Sequence, residues 1–371
     1  MERKVWILRK WGERDMKRIG NVREIGPVIV PDGANQLYHS ADGGGVREAV
    51  CTREGDWWYM AYDGAMPGKT CHSYWNACLA RSRDLTRWEK LGPVLKSAAL
   101  THPEGSEAVY KDFCSAASPW SFYADGMWYH YYMGADHCDP QGVPGFAYST
   151  MLATSRRMAG PWDKLCDEPG KEKYVCMRLG ERGKWDDETA SPGFVLQNPA
   201  YAADPEREKK YMMIYSGSCR GVTKRSLGIA RTDDLRAAGG FDDPQGRFWE
   251  KDPEPLLPPS EDIENSSLYL DEKEGMYWLF TNHVKDNRYT DAVWVYWSRD
   301  LNHWNVQDKA VAMDASMSRF GKGAIGMPSV VRMDENTLAL FYDASPDGRT
   351  DHLDRSICMA VIPLPLRVRE D

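Results

Sequence analysis

Ser298-Arg299-Asp300-Leu301-Asn302-His303-Trp304 directly follows the apolar run Ala292-Val293-Trp294-Val295-Tyr296-Trp297, and its order of residue types occurs three more times. Ser82-Arg83-Asp84-Leu85 leads to Trp88, Ser155-Arg156-Arg157-Met158 to Trp162, and Thr232-Asp233-Asp234-Leu235 to Trp249. The four starts lie 73, 77 and 66 residues apart (82 to 155, 155 to 232, 232 to 298), so a chain of 371 residues holds about five such units. A period of that size in a sequence of aromatic strands predicts blades set around an axis. It directs attention to the ends of the innermost strands.

Strand and turn signals divide the units. The first opens at Val46–Thr52, turns at Glu54-Gly55-Asp56, returns as Trp57–Tyr62, continues as Ala77–Ser82 and ends around Val94-Leu95. Two apolar runs joined by a glycine turn predict a hairpin. The second unit has its hairpin at Ser121–Tyr132, around Asp125-Gly126. The third reads as Pro199–Ala203, a turn at Asp204-Pro205-Glu206, Lys210–Tyr215 and Leu227–Ala230. The fourth reads as Ser267–Leu270, Met276–Phe280 and Ala292–Trp297, and the fifth as Pro328–Val331, Thr337–Tyr342 and Ser356–Ile362. No long segment of helical period competes, so the fold class is all-β, a five-bladed β-propeller of four-stranded antiparallel blades. Residues 1–45 form an arm that packs on the propeller, closes its ring or reaches a neighbouring subunit as a homo-oligomer. Residues 46–371 form the catalytic propeller.

Composition narrows the function. The chain is 42% hydrophobic and 12% aromatic, with 15 Trp and a net charge of −8. It has no basic cluster, which argues against nucleic acid as partner. No apolar run approaches the length of a membrane span, and the first ten residues are unlike a signal peptide, so a cytoplasmic location is expected. The nine cysteines include no C-x-x-C pair. Cys51, Cys78, Cys114, Cys176 and Cys358 sit in or beside apolar strands and read as reduced thiols packed as small hydrophobes.

The five units, their Asp-Gly or Glu-Gly turns, aromatic second strands and Ser-Arg-Asp-Leu-x-x-Trp elements resemble the five-bladed propeller glycoside hydrolases of families 43, 32, 62 and 117, over residues 46–365. The resemblance implies a glycosidase whose acids lie at the inner strands. Counting seven positions back from Gly55 to that family 43 base gives Glu48. The second-blade Asp of family 43 would fall at Trp120, with Asp112 the nearest acid upstream. The acid position would be Gln197 in the third blade, ahead of Asn198-Pro199, or Glu264 in the fourth. The Asn-Asp-Pro and Arg-Asp-Pro patterns of family 32 are absent. The chain therefore resembles a divergent member of that group.

Glycoside hydrolysis needs two carboxyl groups on opposite sides of the anomeric carbon. Glu48, as base or nucleophile, and Glu264, as acid, meet that need from what read as corresponding starts of the first and fourth inner strands. Glu188, in the acidic run Asp186-Asp187-Glu188, is the reserve acid. Substrate contacts are expected from Arg47, Asp63, Asp112, Trp120, Trp185, His137, Asn198, His283 and Asp343. For Asp63 and Asp343 a turn-capping role competes, as does core packing for the tryptophans. No cofactor is required. The resemblance raises a structural calcium in the central channel, since some family 43 members carry a channel calcium or histidine. The expected partner is a small oligosaccharide, cut from its end with inversion. A carbohydrate-binding propeller without catalysis and a phosphorylase are the alternatives, the latter drawing on Arg220, Lys224 and Arg225.

Overall fold

The computed structural model describes residues 16–32, 42–66, 75–102, 109–136, 148–220, 224–285, 288–323, 325–347 and 354–369. Strands β1 (Arg18–Ile19) and β2 (Arg23–Ile29) come first. Five antiparallel units follow. They are β3 (Gly45–Glu54), β4 (Trp57–Ala65), β5 (Trp75–Ser82) and β6 (Glu89–Leu95), then β7 (Ser115–Ala124), β8 (Met127–Ala135), β9 (Tyr148–Ser155) and the short β10 (Asp163–Lys164). After β11 (Tyr174–Val175) come β12 (Thr189–Gln197), β13 (Tyr211–Ser218) and β14 (Arg225–Thr232), then β15 (Gly239–Gly240), and β16 (Glu250–Lys251), which completes the third unit. The fourth unit is β17 (Ile263–Asp271), β18 (Met276–Lys285), β19 (Arg288–Ser298) and β20 (Lys309–Asp314). The fifth is β21 (Ile325–Asp334), β22 (Thr337–Ala344) and β23 (Ser356–Pro363), whose outer neighbour is β2 from the start of the chain; β24 (Val368–Arg369) pairs with β1.

The inner strands meet in a closed order: β3 touches β7, β7 touches β12, β12 touches β17, β17 touches β21, and β21 returns to β3. The arrangement is a β-propeller. Its core lies between units rather than within one sheet. Met60 and Tyr62 of the first pack with Phe341 and Met359 of the fifth, and Ile214 and Ile229 of the third with Leu279 and Tyr296 of the fourth. A sheet covered on both faces buries every residue along a strand, which is why β4 and β13 read as unbroken apolar runs instead of alternating.

The repeated motif is a turn with its own hydrogen bonds. Ser82 Oγ accepts from the backbone N–H groups of Asp84 (3.1 Å) and Leu85 (2.9 Å), and Trp88 Nε1 donates back to the Leu85 carbonyl at 2.8 Å. Ser155 with Trp162, and Ser298 with Trp304, repeat the pattern. Leu85, Met158, Leu235 and Leu301 are all buried, so each motif pins an aliphatic side chain between units. In the second unit Asp125 (φ 51°) and Gly126 (φ 78°) form the two-residue hairpin turn, both in the left-handed region as a type I′ turn requires.

The first strands differ from the sequence reading in one consistent way. Each begins earlier in the chain, and in the third unit Pro199–Ala203 is turn while the strand is Thr189–Gln197. Every inner strand contains a bulge that interrupts its ladder: Glu48-Ala49, Ser118-Pro119, Pro192-Gly193, Asn265-Ser266 and Met327-Pro328 lie between paired positions. A proline cannot donate to a ladder, and a bulge is where a strand tolerates one. Cys114, expected as a thiol, is disulfide-bonded. No helix of the described residues is long and apolar enough to cross a membrane.

Candidate active site

The five bulges place their residues at the axis. Glu48 (φ 52°), Ser118 (φ 47°), Asn265 (φ 57°) and Met327 (φ 52°) all have left-handed backbones. For side-chain-bearing residues that conformation costs on the order of 1 kcal/mol each, a concentration of strain in one place. Glu48, Ser118, Pro192 and Asn265 line a single pocket, together with Arg47, Met133, Tyr148, Ser191, Arg225 and Glu264. The free space among them is about 20 Å³, close to one water molecule. A wider cleft of about 750 Å³, lined by residues such as Arg156, Trp162 and Arg236, involves no inner strand.

Glu48 and Glu264 therefore converge, but not from equivalent positions. Glu48 is the first bulge residue of β3, whereas Glu264 is the last paired residue before the bulge of β17, opposite Asn282. Its counterpart in β3 is Arg47. Their surroundings also differ. Ser118 Oγ donates to Glu48 Oε2, Arg47 stands 3.6 Å from Oε1, and burial, reinforced by the Glu264 charge, pushes the Glu48 carboxyl up. Glu264 is ion-paired with Arg225 through Oε1.

Below the pocket lies a buried charge cluster. Asp63 and Asp343, both fully buried, occupy matching positions on the second strands of the first and fifth units, opposite Arg47 and Gly326. Asp63 accepts from the Ser118 N–H at 2.5 Å and lies 3.3 Å from Arg47 Nε; Asp343 accepts from the Glu48 N–H at 3.4 Å and pairs with the fully buried Arg355 at 3.2 Å. Burial raises both carboxyls, Asp63 well above its usual range and Asp343 to about 7. They neither cap turns nor line the pocket. The Arg47 guanidinium, 4.1 Å from the Trp75 ring centroid, is sandwiched between this cluster and the indole.

Several expected contacts are elsewhere. Asp112 is fully buried with Lys164 (2.8 Å) and Tyr132 (3.0 Å). Trp120 packs edge-on to Phe194, and Trp185 tilts over Tyr215 against Gly217 and Gly228. Asn198 holds the turn at the far end of β12 by donating to Glu208 (3.1 Å) and the Lys209 carbonyl (2.9 Å). His283 stacks on Trp294 and reaches the Tyr296 hydroxyl at 3.0 Å, and burial lowers its pKa to about 3. Glu188 does not line the pocket; its N–H donates to the Ser218 carbonyl. Neighbouring Asp186 accepts from the Tyr215 hydroxyl and Asp187 from two backbone amides. His137 lies outside the described residues. Among the described residues no group of three or more His, Cys, Asp or Glu could hold a metal ion. Arg225, which the sequence offered only for the phosphorylase alternative, and Tyr148, which it did not single out, both line the pocket. The prolines inside three of the inner strands are the signal that marks the bulges.

No family model and no curated protein matches the chain in sequence. Solved structures do match in three dimensions. BT0996, in its RGII complex, has a TM-score of 0.67 at 17% identity, covering 92% of this protein and 92% of its own length. Zg3597, a family 117 glycoside hydrolase of the marine bacterium Zobellia galactanivorans, gives 0.59 at 15%, over 91% of this chain and 90% of its own. A member of the GH130 family of mannoside phosphorylases, which contains glycoside hydrolases that target beta-1,2 mannosidic linkages in Candida mannan, gives 0.56 at 14%, over 96% and 95%. What this chain shares with them is the propeller fold, at 14 to 17% identity.

Proposed function

We propose that the protein is a glycoside hydrolase that cuts a terminal sugar from a small oligosaccharide, with Glu48 and Glu264 as its two carboxyl groups. The observation that carries this reading is their convergence on one pocket from inner strands three units apart. The environments support a division of labour opposite to the one read from sequence. Burial favours the protonated form of Glu48, suiting it to protonate the leaving oxygen. Glu264, held by its ion pair with Arg225 on the other side of the pocket, is the group placed to activate water. Space for about one water among these groups fits an inverting displacement, in which water attacks directly. A sugar ring is too large for that space, so it would stand at the mouth with its anomeric face turned inward, as an exo-acting enzyme requires. Ser118 and Arg47 orient the Glu48 carboxyl, and Tyr148 closes the side.

The test is Glu48→Gln and Glu264→Gln, each assayed on aryl glycosides and oligosaccharides. Loss of roughly 10² to 10⁴-fold in turnover with folding intact is expected, the usual contribution of general acid or base catalysis. Near-normal turnover in both would refute the reading. A second reading, phosphorolysis, is favoured by one observation: Arg47 and Arg225 line the same pocket as the glutamates, and guanidinium pairs suit a phosphate acceptor. Turnover that depends on inorganic phosphate and releases a sugar phosphate would select it over hydrolysis.

A further inference from the structure

Glu48 stands in a strained bulge, so something must hold it there. The pocket lining does not do this alone. Glu48 N–H is bonded to Asp343 of the fifth unit, and Ser118 N–H is bonded to Asp63 of the first. The relation is the same in both cases: the bulge residue of one unit is latched by a second-strand carboxylate of the unit before it in the ring. Both bulge residues are left-handed, with φ of 52° and 47°. Ser118 in turn bonds the Glu48 carboxyl, so one latch fixes the backbone of Glu48 and the other fixes the group that aims its side chain.

We propose that Asp343 and Asp63 are positioning residues for the reaction, two latches that set the orientation of the Glu48 carboxyl from outside the pocket. The proposal rests on the functional reading of Glu48 above. Burying two carboxylates with only Arg355 and Arg47 beside them is a poor way to stabilise a fold, because desolvation offsets most of the ion-pair attraction. Their placement is better explained by what they hold. The charged and titratable groups around Glu48 are Arg47 on its own strand, Asp63 on β4, Tyr148 on β9, Arg225 on β14, Glu264 on β17 and Asp343 on β22, with Arg355 behind Asp343. Ser118 on β7 adds a hydrogen bond that favours the ionised form.

Asp343→Asn and Asp63→Asn keep an acceptor oxygen at each latch, and Asp343→Asn also deletes the negative charge that Asp343 takes on above about pH 7. With Glu48 as the proton donor, the alkaline limb of kcat/KM against pH should move down by up to about one unit in Asp343→Asn and stay in place in Asp63→Asn, whose acid burial already keeps uncharged. Ser118→Ala deletes a donor to the ionised carboxyl, so it should move the same limb up. Asp343→Ala removes the latch itself and should lower kcat by roughly 10 to 100-fold with little change in KM, the usual scale of a small misplacement. Titration of the Glu48 carboxyl carbon by NMR, assigned by its loss in Glu48→Gln, reads the same shifts without turnover and serves if Asp343→Ala does not fold. An alkaline limb and a carboxyl titration both unmoved in Asp343→Asn would overturn the proposal. If Glu48→Gln is itself fully active, the functional reading fails; if it is inactive while the latch variants behave as wild type, only the latches fail.

Discussion

Asp343→Asn should leave stability nearly unchanged at pH 4 and increase it at pH 8. The folded protein raises the Asp343 carboxyl from 3.8 to about 7, chiefly by burial, which outweighs the opposing pull of Arg355. An unfolded chain releases this proton near pH 4, whereas the native state keeps it until about pH 7. Stability from this group is therefore fully present below pH 4 and is lost as pH rises through 7. The difference of about three pH units, at about 1.36 kcal/mol each, sets an upper bound of about 4 kcal/mol on the loss. Asn resembles the protonated acid at every pH, so the variant does not incur this loss. Urea unfolding of both proteins at pH 4, 5.5, 7 and 8 gives the comparison, and pH-independent costs of the substitution cancel between the ends of the series. The free-energy gap should move in favour of the variant by about 1 to 4 kcal/mol. Parallel stability curves would refute the claim that Asp343 is a buried, proton-retaining acid.

Two further outcomes test the packing. A Cβ on Gly228 would lie 2.6 Å from the Trp185 ring and 2.7 Å from Tyr215, so Gly228→Ala should cost roughly 1 to 3 kcal/mol in urea unfolding and leave KM unchanged. A changed KM at unchanged stability would instead make Trp185 a sugar platform. Ser82→Ala removes the acceptor of two backbone amides in the repeated turn and should cost about 1 kcal/mol with normal activity; no measurable loss would deny the motif its structural role.

The repeat is legible in the sequence because its signals are local. Asp125-Gly126 dictates its hairpin, and Ser82, Ser155, Thr232 and Ser298 each close a turn within three residues. The approach of Glu48 to Glu264 is legible because the blade register places inner-strand ends at the axis. The bulges are hidden by the period-two argument, which treats Pro192 and Gly193 as loop residues and so displaces the third unit's first strand. The same blindness makes Glu48 and Glu264 look equivalent when they differ by one position. Asp63-Gly64 imitates a turn because a strand end and a strand interior share that dipeptide when the neighbouring unit supplies the burial. Trp120, Trp185 and His283 show the limit most plainly: an aromatic near the inner rim can face a neighbouring unit or the pocket, and only packing decides.

The pairing of β2 with β23 also governs how the molecule is made. Glu24 lies beside Ala360, so the last sheet joins segments more than three hundred residues apart, and loop closure over such distances comes late in folding. Glu48 is synthesised early, yet its backbone is held by Asp343. A nascent chain can form its first hairpins as they emerge, but the proposed catalytic geometry comes into being only at ring closure, which ties activity to synthesis of the fifth unit.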